Sequence, residues 1–248
     1  MILAFDTSTA LTSVAVIDAG QVVSERVHLD ARRHAEVLAP MLSDVLHGID
    51  RDRIAAVACG VGPGPYTGLR VGIASALAMG AAWSIPVHGL CSLDALAASV
   101  LDEADAPEVL CVAADARRRE IYWARYDATG RRLDGPLVSR PGDLDDATRR
   151  GPWAGHGAEV HRDELGVVLD SADITAPETS SRLYPHACWV GRRVEALLAG
   201  GAHSGVTAVE LSVHGDDGTP TSAALRGLDL LPPQPLYLRR PDAAEPKR

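Results

Sequence analysis

Residues Gly60–Gly72, GVGPGPYTGLRVG, decide how the rest of the chain is read. That density of glycine and proline excludes a strand or a helix interior, so the stretch reads as a shaped loop. It follows an apolar run, Ile54–Cys59, that reads as a buried strand, and it leads into an apolar-periodic run, Val71–Trp83, that reads as a helix. A loop between a strand and a helix N-terminus offers backbone N–H groups to an anion or to a partner's backbone. It matches neither G-x-x-x-x-G-K-[ST] nor G-x-G-x-x-G, the two common phosphate-loop patterns.

Working outward from the loop, residues 2–6, 12–18 and 22–29 read as a β-meander whose first turn, Thr7-Ser8-Thr9, carries hydroxyls behind Asp6. A helix follows over residues 34–47, with Val37, Leu38, Met41, Leu42, Val45 and Leu46 on one stripe; Pro40 kinks it or marks its first turn. Residues 86–90 read as a short strand before a helix capped by Ser92. After the acidic linker 102–107, strands at 109–115 and 120–127 flank a charged turn holding Arg117, Arg118 and Arg119, read as facing solvent. The pattern then weakens to a loop-rich stretch as far as Ala158, a helix over 184–198 and a proline-rich tail over 232–240. Two α/β lobes follow, 1–103 and 104–248, with the C-terminal segment able to return to the first lobe. Both open with a strand ending in Asp, Asp6 and Asp115, a hint of duplication.

Composition excludes several functions. A net charge of −9 argues against this chain gripping nucleic acid by itself, since phosphate contacts need clustered Lys and Arg. The only lysine is Lys247, which removes Walker-type, Schiff-base, PLP and protein-kinase chemistry. No apolar stretch is long enough to span a membrane, the N-terminus reads as a strand rather than a leader, and four dispersed cysteines read as buried free thiols, together a cytoplasmic reading.

MILAFDTST at the start, GPGPYTGLRVG, DARRREIYWARY and the closing PLYLR occur in that order along the chain, and together they resemble the bacterial TsaB (YeaZ) family of glycoprotease-like proteins. The resemblance implies an actin-like ATPase (ASKHA) fold of two lobes, each a mixed β-sheet flanked by helices. It implies a non-catalytic scaffold in the complex that makes N6-threonylcarbamoyladenosine next to the tRNA anticodon, partnered by a TsaD-like catalytic subunit and a TsaE-like ATPase. tRNA is then met only through the complex; the two apolar helices lead to the expectation that the isolated chain pairs with a second copy of itself as a homodimer. The alternatives are a small-molecule kinase of the same superfamily with its own ATP site, and a metallopeptidase.

Site residues are read against that resemblance. The catalytic paralogue carries metal on a helical H-x-x-x-H, because residues four apart present both imidazoles to one ion. Here the corresponding helix reads His34-Ala-Glu-Val-Leu38, so no metal site and no catalytic residue are expected. Asp6, Thr7, Ser8, Thr9, Gly62 and Gly64 are the candidates for a nucleotide's phosphates, with ATP or ADP bound weakly or only within the complex. Val37, Leu38, Met41, Leu42, Val45, Arg70, Ile73 and Leu77 are the candidate partner interface. Rows of alanine at 74, 78 and 81 would let helices approach closely there.

Overall fold

The computed structural model describes residues 1–169, 182–201 and 230–238. The first sheet holds β1 (Ile2–Asp6), β2 (Leu11–Asp18), β3 (Gln21–Leu29), β4 (Ala56–Gly60) and β5 (Val87–Leu90) in the order β3-β2-β1-β4-β5. The first three pair antiparallel as a meander, and β4 and β5 add in parallel beside β1. Interior strands are buried on both faces, which is why they read as unbroken apolar runs. Alternation sends Leu3, Phe5, Val14, Val16 and Val57 to the face covered by α1 (His34–Leu46) and α2 (Tyr66–Trp83). Ile2, Ala4, Ala15, Ile17 and Ala58 go to the other face, under α6 (Ala187–Ala199). α3 (Ser92–Leu101) packs beside α6 and reaches across to the second sheet.

The second sheet holds β6 (Val109–Asp115), β7 (Ile121–Asp127), β8 (Arg132–Ser139), β9 (Pro152–Ala154) and β10 (Val167–Val168), ordered β10-β9-β6-β7-β8. Short helices α4 (Asp146–Arg150) and α5 (His156–Val160) connect its later strands. It repeats the plan of the first sheet: an antiparallel meander of three, with two strands added in parallel beside the meander's first. Asp6 and Asp115 therefore end equivalent strands. The chain then returns to the first lobe through α6. Residues 230–238 also return, with Leu231 bridging Gly89 of β5 and Leu236 N–H donating to the carbonyl of Val61.

Three local expectations are corrected. The loop ends at Pro65, and α2 begins at Tyr66, so Gly68 and Gly72 lie inside a helix. Their role is close approach: a Cβ on Gly68 would sit 2.3 Å from the Thr7 carbonyl oxygen, and one on Gly72 would sit 2.3 Å from Thr7 Oγ1. Ser92 does not cap α3; Cys91 is the cap residue and the Ser92 hydroxyl is turned to Asp6. The stretch read as loop-rich contains β8, α4, β9 and the start of α5. α1 runs through Pro40, which lies on its solvent face. All four cysteines are buried free thiols, and burial pushes each thiol up to about 12. Lys247, His203 and His214 lie outside the described residues.

Candidate functional site

The carboxyl ends of β1 and β6 face each other across a cleft of about 340 Å³. Ser8, Thr9, His34, Gly64, Pro65 and Tyr66 line it from the first lobe; Asp115, Arg117, Tyr122 and His156 line it from the second. Leu183 and Tyr184, before α6, and Tyr237 of the returning segment complete the wall. Tyr237 stacks on Tyr66 at 5.2 Å between centroids, and His156 stacks on Tyr184 at 5.2 Å. Aromatic faces thus dominate a space whose charged pair is Arg117 Nη1 on Asp115 Oδ2 at 3.1 Å.

Behind Ser8, beneath the cleft, lies a closed hydrogen-bond knot. Asp6 Oδ1 accepts from the Ser8 N–H and the Ser8 hydroxyl, each at 2.7 Å, and Oδ2 accepts from the Ser92 hydroxyl at 2.6 Å. Ser92 Oγ in turn accepts from the Gly62 N–H at 3.1 Å. Burial pushes the Asp6 carboxyl above its ordinary range, against the hydrogen bonds from Ser92 and Ser8 that favour its charged form. Thr7 donates to the Gly68 carbonyl at 2.8 Å. Of the six residues expected at a phosphate, only Ser8, Thr9 and Gly64 line the cleft. Asp6, Thr7 and Gly62 instead tie the end of β1 to the glycine loop, α2 and α3, with their polar atoms engaged there.

His34 opens α1 against the cleft, its Nδ1 bonded to Thr12 Oγ1 at 2.7 Å. Burial holds its pKa below the usual imidazole range. His156 is held low by the same cause; Arg117 adds to the shift, while Asp115 and Glu159 oppose it. Both rings are therefore neutral at pH 7, acceptors or single donors rather than cations. Leu38, one turn after His34, is 2% exposed in the core, so α1 presents one imidazole to the cleft. Among the lining residues there is no second carboxylate beside Asp115 and no cysteine, and the aromatic faces suit the space to holding a planar or polar group. Sequence reading missed Tyr66, Tyr122, His156, Tyr184 and Tyr237 as lining residues. Only the end-of-strand position of Asp115, mirroring Asp6, signalled the second wall.

The expected interface is divided by the structure. Leu38, Met41, Val45 and Ile73 point into the core that α1 and α2 share with the first sheet, so they are not a docking surface. Val37 and Leu42 are half-buried, and Leu77 is 46% exposed. Arg70, also exposed, lies over the Tyr66 ring at 4.0 Å. On α2 the outward face is Arg70, Ala74, Leu77, Ala78 and Ala81, small and apolar beyond its single charge. Arg117, Arg118 and Arg119 are exposed at the cleft rim in three successive left-handed conformations, with φ of 61, 57 and 64°; the Arg117 N–H bonds Asp115 Oδ1 at 2.8 Å. Among the described residues no helix is long and apolar enough to cross a membrane.

Comparison with known proteins adds the following. A family model described as TsaD, tRNA N6-adenosine threonylcarbamoyltransferase, matches residues 21–149. An uncharacterized protein of Mycobacterium tuberculosis is 44% identical over 151 residues, 58% of this chain and 67% of that protein. The tRNA threonylcarbamoyladenosine biosynthesis protein TsaB of Escherichia coli is 34% identical over 202 residues, 75% of this chain and 85% of that protein. Among solved structures, YeaZ from Pseudomonas aeruginosa is 28% identical with a TM-score of 0.67, covering 81% of this chain and 92% of that one. A Pseudomonas aeruginosa protein described as similar to peptidase YeaZ is 27% identical with a TM-score of 0.69, covering 96% of this chain and 99% of that one.

Proposed function

The chain belongs to the TsaB (YeaZ) family and has its actin-like ATPase fold of two mixed-sheet lobes, and on that premise we propose that it is a non-catalytic subunit of threonylcarbamoyladenosine biosynthesis on tRNA. It acts by binding a TsaD-type catalytic subunit and a TsaE-type ATPase, and meets tRNA through that complex. The observation that carries the reading is the outward face of α2, where Ala74, Leu77, Ala78 and Ala81 form an apolar strip of small residues beside the half-buried side chains of α1. Such a strip lets a second helix pair approach closely, and a TsaD-type subunit is the occupant that family membership supplies. In isolation a second copy of this chain takes that place. The cleft fits the same reading: the Asp6 carboxylate beneath it is tied up by Ser8 and Ser92, burial lowers the pKa of both its histidines, and no lysine lines it. Nucleotide binding by the chain itself is correspondingly weak, or confined to the complex.

Reconstitution with tRNA, threonylcarbamoyl adenylate, a TsaD-type subunit and a TsaE-type ATPase tests the proposal by omission. Leaving this chain out abolishes the modification, and the chain alone turns over neither ATP nor a peptide. Full modification in its absence overturns the scaffold role.

A further inference from the structure

Away from the cleft, on the α6 side of the first sheet, Glu25 of β3 meets His186 and Cys188 at the start of α6. A carboxylate oxygen, an imidazole nitrogen and the thiol sulfur from these residues all lie within 4.8 Å of one another. His186 Nδ1 stands 3.5 Å from Glu25 Oε1, a buried oxygen, and the Glu25 carboxylate also takes hydrogen bonds from Cys188. His186 and Cys188 are themselves buried, at 5% and 7% exposure. His186 is the cap residue of α6 and Cys188 its second residue, so the H-x-C spacing brings both side chains to the first turn. β3 is an edge strand and the Glu25 side chain keeps 27% exposure, so an ion can reach the group from solvent.

We propose that Glu25, His186 and Cys188 bind one divalent ion of the zinc class, with water in the fourth position. Thiolate with imidazole selects zinc or cobalt over magnesium and calcium, which want oxygen ligands. With metal–ligand bonds of about 2.0–2.3 Å, tetrahedral donors sit roughly 3.3–3.8 Å apart, so the three atoms need close by only about an ångström. On binding, the Cys188 proton leaves to water as the metal–sulfur bond forms. The ion would clamp the edge strand to α6, two residues after Tyr184, and so hold the part of the cleft wall that Leu183 and Tyr184 supply. A search for histidine pairs along one helix misses this set, because its carboxylate comes from a strand far earlier in the chain.

The test is a cobalt titration of the full chain after chelator stripping. One equivalent of Co²⁺ gives a near-ultraviolet sulfur-to-cobalt charge-transfer band and the intense visible bands of tetrahedral cobalt, and Zn²⁺ bleaches both. Cys188→Ser abolishes the charge-transfer band, Cys111→Ser keeps it, and His186→Ala and Glu25→Gln each weaken binding by about tenfold or more. Zinc raises the melting temperature of the unsubstituted chain and magnesium does not. Should Cys188→Ser fail to fold, alkylation of the unsubstituted chain read by mass spectrometry replaces it, and zinc slows modification at Cys188. No charge-transfer band in the unsubstituted chain, a band that survives Cys188→Ser, or no protection of Cys188 by zinc overturns the site.

Discussion

Gly68 and Gly72 sit inside α2, where glycine ordinarily costs a helix about 1 kcal/mol relative to alanine. Here the sign reverses, because a Cβ at either position would overlap an oxygen of Thr7, backbone at one and hydroxyl at the other. Gly68→Ala should therefore lose about 1–3 kcal/mol in urea unfolding, the usual range for overpacking; a gain would show that α2 can draw away from β1. Buried histidines set the acid limit at the same scale. His34, His88 and His156 are all held below the ordinary imidazole value, each chiefly by burial. A lowered folded-state pKa means that the unfolded chain binds more protons. This contribution is then complete above about pH 6.5 and is lost as pH falls below it. The urea midpoint should drop between about pH 7.5 and about pH 5.5, and His156→Gln should shrink that drop. An equal drop in the variant would remove His156 from the account.

At the scale of elements, the lobes are joined by a buried ion pair. Asp94 of α3 accepts from Arg132 of β8 through both oxygens, at 3.0 and 2.5 Å, and from the Tyr126 hydroxyl of β7 at 2.6 Å. The side chains of Arg132 and Asp94 are only 7% and 11% exposed, so removing one partner strands a buried charge. Asp94→Ala should cost about 3–5 kcal/mol in urea unfolding, whereas Asp94→Leu with Arg132→Met should recover most of it. A small loss in the single variant would mean that water reaches Arg132. α1 and α2 allow a different prediction, since their inward and outward residues are now distinguished. Leu77→Glu should leave stability within about 0.5 kcal/mol, as exposed substitutions do, while abolishing capture of a TsaD-type subunit. Met41→Glu should simply unfold the chain. Undiminished capture by Leu77→Glu would move the interface off α2.

At the scale of the whole molecule, two sheets of identical plan face each other across the cleft, and the chain's last described segment returns to close it. That return depends on Gly89, where a Cβ would lie 2.7 Å from the Pro232 carbonyl oxygen and 2.8 Å from that of Leu231. Gly89→Ala should release residues 230–238, seen as amide exchange at Leu231 and Leu236 at least about tenfold faster, with exchange in β1 unchanged. Unchanged protection at Leu231 would show that Tyr237 and Leu236 suffice to hold the segment. Sequence alone determined the first meander, α1, β4, β6 and β7, because buried strands and amphipathic helices write their burial into a local apolar period. β8 was hidden in the stretch read as loop-rich, because its Asp134, Gly135 and Pro136 are poor strand residues, tolerated where the strand lies at a sheet edge. β9 and β10 are too short, at 3 and 2 residues, to carry any period. The start of α2 was hidden because its glycines answer to Thr7, a residue of the β1 turn, rather than to their own neighbours. The cleft's second wall, the division of α1 into core and surface, and the meeting of Glu25 with His186 and Cys188 were decided by tertiary structure alone. Each joins atoms from distant stretches of chain, and a one-dimensional period holds no record of which face meets which.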